Sequence, residues 1–211
     1  MTSRAQLADI RREYPITQRC AYLDSAYWGP YQVRSVHAMT EFARRRSELP
    51  FPDGRADSER KMVDQVRRKV AELLEVSENE IWFPRGTTEA INAVASALLK
   101  PGDEILVGGL DHPADYTIWG NLADRGILVR IVSQRDGCVY PEDVEASIGP
   151  RTRAIGMCYV NTYNGYRQDL QALSDIASRN GVYLFLDAIQ GIGHLRISLH
   201  DSDVTVMSAG A

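Results

Sequence analysis

From Glu80 to the end of the chain, short apolar runs alternate with amphipathic stretches. "EIWFP", "EILVGG", "LVRIVS", "RAIGMCYV", "VYLFLD" and "DVTVMS" are each short enough for a strand, and their continuous apolar character suits strands buried on both faces. Between them lie "TTEAINAVASALL", "ADYTIWGNLADRG", "PEDVEASI" and "DLQALSDIASRNG", which read as helices, the last ended by Gly181. This alternation predicts an α/β fold: three layers, α/β/α, around a mainly parallel sheet. Upstream, Val33 to Leu49 and Ser58 to Leu74 carry helical patterns, the second with Val63, Val66, Val70 and Leu73 on one stripe. "LPFPDGRAD", Leu49 to Asp57, is a Pro/Gly loop between them. The N-terminal "MTSRAQLADIRREYP" has no signal-peptide core and reads as an exposed helix or arm.

The composition narrows the function classes. The 211 residues are 44% hydrophobic and 25% charged, with a net charge of -4. Such a chain buries a real core and carries no basic footprint for nucleic acid. Arg44, Arg45 and Arg46 form one dense basic stretch, which on a helix is a solvated face. No run reaches the length of a membrane span. Cys20, Cys138 and Cys158 form no CxxC pair, so neither a disulfide scaffold nor a zinc site is expected, and a reducing cytoplasm fits. His37, His194 and His200 lack metal spacing and read as structural; no metal is expected.

In parallel sheets ligands bind beyond the carboxyl ends of the strands, and four stretches place chemistry there. In "PRGTTEAIN", Gly86, Thr87, Thr88 and Glu89 open a helix; free amides and two hydroxyls suit a phosphate, although threonine also caps helices without a ligand. In "GLDHPADY", His112 falls just after a strand, where it stacks on a flat ring, moves protons or simply faces water. In "CYVNTYNGYRQDL", Asn161, Thr162 and Asn164 follow a buried strand, as site residues or as turn formers. In "YLFLDAIQGIG", Asp187 ends a very apolar strand, and a carboxylate there is costly unless paired. A metal, a ribose hydroxyl, a protonated ring nitrogen or the next turn would each serve as its partner, with Gln190 in reach. No GxGxxG fingerprint, P-loop or GxSxG elbow is present, which argues against a nucleotide-binding oxidoreductase on a similar sheet.

Taken in order, "AYLDSAYWGP", "RGTTEAIN", "DHPA", "NGYRQDL", "DAIQGIGH" and "DVTVMSAG" resemble the class V aminotransferase group of pyridoxal-phosphate enzymes. This is the fold type I branch that includes cysteine desulfurases, kynureninase and isopenicillin N epimerase-like proteins. The resemblance implies an N-terminal arm over 1–32 and a pyridoxal-phosphate-binding large domain over 33–211. It implies that Gly86, Thr87, Thr88 and Glu89 hold the cofactor phosphate with Ser208 as a further contact. His112 would stack on the pyridine ring, Asp187 would pair with its nitrogen and Gln190 would donate to its phenolic oxygen. Alignment on Gly165 puts Thr162 at the family's cofactor-contacting asparagine, and Asn161 is the neighbouring candidate. The implied activity is chemistry on an amino acid or amine through an aldimine, by a cytoplasmic homodimer, with His112 and Asp187 as catalytic residues.

The resemblance breaks at the C-terminus. The family's Schiff-base lysine is expected at or just after Ala211, and the family's small C-terminal domain has no counterpart here. The expectation is an N-terminal portion of a longer polypeptide, with a mass well above 23.6 kDa. A non-catalytic cofactor-binding remnant or partner subunit is the alternative from a different class. Within the family, cysteine desulfuration is the alternative; "GYRQDL" leans toward the epimerase-like branch.

Overall fold

A computed structural model describes residues 3–48 and 55–210. The chain divides into two compact units, Met1–Val63 and Asp64–Ala211. In the first, α1 (Arg4–Arg12) starts at Ser3, whose hydroxyl accepts from the Gln6 amide while the Gln6 side chain accepts from the Ser3 amide. This reciprocal cap satisfies two donors that a helix start leaves unpaired. Helix α2 (Val33–Glu48) follows, and its arginines are a solvated face as expected: Arg44 and Arg45 pair with Glu41 and Arg46 reaches Glu59. The predicted loop Leu49–Asp57 is shorter than its composition suggested, because α3 (Arg55–Leu74) already includes Arg55–Asp57. The rest of that loop lies outside the described residues.

In the second unit, β1 (Glu104–Val107), β2 (Leu128–Ile131), β3 (Thr152–Cys158), β4 (Tyr183–Asp187) and β5 (Val206–Ser208) form one sheet. Its order is β2-β1-β3-β4-β5 and every pair is parallel. The crossovers carry α5 (Pro113–Asp124), α6 (Pro141–Ser147) and α7 (Leu170–Asn180), and α4 (Thr87–Leu98) precedes β1. Alternate residues of each strand face opposite ways. Ile105, Val107, Ala154 and Phe185 pack with Ile91 and Ala95 of α4 and Ile118, Trp119 and Leu122 of α5. Leu106, Ile155, Met157, Leu184 and Leu186 pack with Val144 of α6 and Leu173, Ile176 and Ala177 of α7. These are the expected three layers. Gly181 ends α7 in the left-handed conformation (φ 61°), a shape that favours glycine.

One predicted strand is absent. Ile81–Pro84 is extended but pairs with nothing in the sheet, and Trp82 and Phe83 are exposed. Arg67 of α3 donates to the Ile81 carbonyl, and its guanidinium lies 5.1 Å from the Phe83 ring centroid. The segment is thus anchored by α3 and delivers Gly86 to the start of α4.

The amino ends of the strands are tied together. Glu104 is buried and accepts from the Thr152 hydroxyl at 2.7 Å and from Arg130 at 2.7 Å. A paired carboxylate is tolerated there. The carboxyl ends are different: their polar groups are only partly answered by the protein.

Candidate functional site

Strands β3, β4 and β5 finish on one row, since Cys158 is in register with Asp187 and Asp187 with Ser208. Residues paired across parallel strands share a face, so all three project toward the α4/α5 layer. Next to this row the chain order reverses: β1 leads to β2 on one side and, later, to β3 on the other. Loops diverge at such a switch point and leave a crevice. The Asn161 side chain crosses it, donating to the Leu110 carbonyl at 2.7 Å.

One wall of the site is the start of α4. Gly86 is its N-cap, with an extended backbone, and Ala90 makes the first intrahelical bond back to it at 3.1 Å. The amides of Thr87, Thr88 and Glu89 therefore precede the ladder and present donors. The Thr87 hydroxyl is buried without a protein partner. Thr88 is exposed. The Glu89 carboxylate turns back to accept from the Arg85 amide at 2.6 Å, so only its backbone faces the candidate anion site.

The opposite wall is the start of α5. His112 is its N-cap, and Nδ1 accepts from the Ala114 amide at 3.1 Å. That bond makes Nδ1 the acceptor and puts the proton of a neutral ring on Nε2. Asp111 and Asp115 flank His112 and are 4% and 2% exposed. Asp115 Oδ2 accepts from the Cys158 thiol at 3.2 Å, and Cys158 is in register with Asp187 on the neighbouring strand. Asp187, 6% exposed, accepts from the Ile189 amide at 2.8 Å.

Burial dominates the electrostatics of this group. It pushes Asp111 up to about 6. It pushes Asp115 up to about 7, with the Asp187 and Asp111 charges adding to the rise and the thiol opposing it. Asp187 is raised as well, again by burial first, while the Ile189 amide and His112 work against the rise. The Cys158 thiol is raised by burial and by the two aspartates of the α5 start. One oxygen each of Asp111 and Asp115 has no donor. Neither acid was among the residues singled out from the sequence, although the i, i+3 spacing of His112 and Asp115 at a helix start puts both on the same end.

The remaining candidates sort by how much of their hydrogen-bonding capacity the fold consumes. Asn161 Oδ1 accepts from the Tyr163 amide at 2.9 Å and the Asn164 amide at 3.2 Å, in addition to the bond across the crevice. Its side chain is built into the loop. The Thr162 hydroxyl is buried without a partner. Gln190 is half-buried just past β4, and Ser208 is buried at the end of β5. The position of the expected lysine, Ala211, lies outside the described residues. His37, His194 and His200 are exposed, and the described residues contain no group of acids, histidines and cysteines arranged to hold a metal.

The family model for aminotransferase class-V matches residues 22–211. The chain belongs to the class-V aminotransferase family. Among curated relatives, a probable cysteine desulfurase of Methanothermobacter thermautotrophicus is 32% identical over 199 residues, covering 90% of this chain and 49% of the relative. A probable cysteine desulfurase of Pseudomonas aeruginosa is 35% identical over 142 residues, 64% of this chain and 35% of the relative. The chain spans about half the length of the curated relatives it matches. Among solved structures, the cysteine desulfurase CsdA of Escherichia coli superposes with a TM-score of 0.83 at 27% identity, over 96% of this chain and 53% of that one. A C-DES mutant with glycine covalently linked to its PLP cofactor gives 0.85 at 22% identity, over 94% and 54%, which establishes the shared fold alone. The fold is therefore fold type I, and pyridoxal phosphate is the cofactor of this class-V family, as the sequence motifs led us to expect.

Proposed function

We propose that this class-V chain holds pyridoxal phosphate at the carboxyl edge of its sheet and serves bond-breaking chemistry on an amino acid, with cysteine as the first substrate to test. The observation that carries the reading is Asp187. Its carboxyl is buried at the end of β4, where it accepts from the Ile189 amide and burial raises it. A buried negative charge needs a cationic or donating partner. A protonated ring nitrogen supplies one through a charge-assisted hydrogen bond.

The other parts fit the same group. The first-turn amides of α4, with the Thr87 and Thr88 hydroxyls, take a phosphate dianion at the positive end of the helix. The partnerless Thr87 hydroxyl supports this, since burying it without a bond is costly. Ser208 closes the same side. His112, fixed by its cap bond, gives a flat wall for the ring. The partnerless Thr162 hydroxyl is available to the ring substituents, with Gln190 positioned just past β4 on the same rim, while Asn161 holds the crevice loops together. When bound, pyridoxal phosphate supplies an electron-withdrawing ring that stabilises negative charge at the substrate α-carbon. Asp187 keeps that ring protonated, and His112 and the apolar floor formed by Phe185 and Val107 exclude water from it.

Cysteine is favoured by the relatives, which are named as desulfurases, over the epimerase-like leaning of "GYRQDL". Cys158 is not suited to attack sulfur: it is buried, its thiol is raised, and it is engaged with Asp115. The experiment is a spectroscopic titration of the protein with pyridoxal phosphate, followed by assay of alanine from cysteine, with an added dithiol reductant so that the sulfur removed is released as sulfide. Asp187→Ala should weaken cofactor retention at least tenfold. Unchanged retention in that variant removes the reading.

A further inference from the structure

Asp115 reaches the pocket through the same helix start that presents His112. An acid in the first turn of a helix ordinarily faces water and answers the helix amides. Asp115 does the opposite. It is 2% exposed and touches Cys158, which pairs with Asp187 on the adjacent strand and projects from the same face of the sheet. The thiol donates to Oδ2, and Oδ1 receives no donor. The titratable groups around the pair are Asp111 from the loop after β1, His112 at the α5 start, and Cys158 from β3. Among the described residues, no lysine or arginine is hydrogen-bonded or ion-paired to Asp115 or Asp187. Two carboxylates gathered around one thiol in a dry site do not both ionise.

Resting on the reading that Asp187 faces a ring nitrogen, we propose that Asp115 is a positioning residue of the cofactor pocket: as a carboxylic acid it donates its proton to Asp187, so that the pair holds one proton and one negative charge. The bookkeeping is closed within the protein. The Cys158 thiol keeps its own hydrogen and gives it to Oδ2, Oδ1 carries the shared proton, and Asp187 remains the carboxylate. A cation arriving at Asp187 then neutralises the single charge without any proton having to leave. The raised titration of both acids accords with this arrangement. Without the donor, Asp187 would have less to orient it and more tendency to take up a proton itself.

Infrared difference spectroscopy of the unliganded protein near pH 6 reads the shared proton directly. The wild type should show buried carboxylic-acid carbonyl intensity from Asp111 and Asp115, of which Asp115→Asn removes the Asp115 component, with the circular dichroism spectrum unchanged. Persistence of the full band in Asp115→Asn overturns the proposal. Cofactor affinity gives the second readout. Asp115→Asn retains a donor toward Asp187 and should bind pyridoxal phosphate within about threefold of wild type, whereas Asp115→Leu should lose about tenfold. Equal affinity in Asp115→Leu and wild type also overturns it. If the wild type itself fails to retain pyridoxal phosphate, the functional reading fails, and the infrared arm still decides whether the proton is shared. If Asp115→Leu does not fold, the Asp115→Asn comparison stands alone.

Discussion

The Asn161 amide donates to the Leu110 carbonyl at 2.7 Å, joining the loop after β3 to the loop after β1 across the crevice. Asn161→Ala removes this tie and both turn bonds to Oδ1. Amide hydrogen exchange across 108–112 should accelerate, while exchange in β3 and β4 should not. Cofactor affinity should fall severalfold through disorder of the His112 cap. Unaltered exchange at 108–112 would show that other contacts hold the loop.

Thr87 separates ligand binding from stability. Its buried hydroxyl has no partner in the unliganded protein. Thr87→Val removes that unmet group, so the unliganded chain should be as stable as wild type or more so, by up to about 1–2 kcal/mol. Phosphate-bearing ligands should bind about tenfold more weakly. Urea melts with and without pyridoxal phosphate test both signs; a loss of unliganded stability contradicts the assignment.

The buried acids make the unliganded protein sensitive to alkali. Asp111 and Asp115 are raised from 3.8 to about 6 and about 7. A raised folded-state value means that the stability contributed is fully present below the unfolded value and is lost as pH rises through the folded one. Stability should therefore fall between about pH 4 and about pH 7, by on the order of a few kcal/mol. Asp115→Asn should flatten much of that slope in urea denaturation. A flat wild-type profile would mean that these groups ionise freely.

Gly156 makes room for an aromatic ring. A Cβ built there lies 2.6 Å and 2.8 Å from two ring carbons of Trp119. Gly156→Ala must displace the indole or the strand, and overpacking of this kind costs about 1–3 kcal/mol. Because Gly156 sits on β3 two residues before Cys158, cofactor affinity should fall with stability. An unshifted Trp119 fluorescence spectrum would refute the displacement.

Cysteine reactivity should be strongly ordered. Cys20 is exposed, whereas Cys158 is buried and its thiol is raised. Thiolate-selective reagents should label Cys20 rapidly and leave Cys158 untouched until the protein unfolds. Rapid labelling of Cys158 in the folded protein would reopen its candidacy as a nucleophile.

The sheet was legible because its strands are apolar on both faces and each crossover helix carries its own period. "EIWFP" misled for the same reason: Trp82 and Phe83 look like core, yet Arg67 holds the segment and the two rings stay exposed. His112 and Asp187 could be placed on the rim by counting from strand ends. The sequence could not distinguish Asn161 from Thr162, since only contacts across the crevice reveal that one side chain is consumed by the loop and the other is not. Asp115 was hidden because acids in a first helical turn are common, and its burial depends on β3 and β4, which follow much later in the chain.

The row Cys158, Asp187 and Ser208 also bears on how the protein acquires its ligand. Parallel strands have no hairpin from which to zip, so these residues meet only after long loops have closed, which slows folding. No partly folded segment carries the row. A cofactor that depends on it binds the native state alone, and by mass action raises the stability of the folded chain with each increment of its concentration.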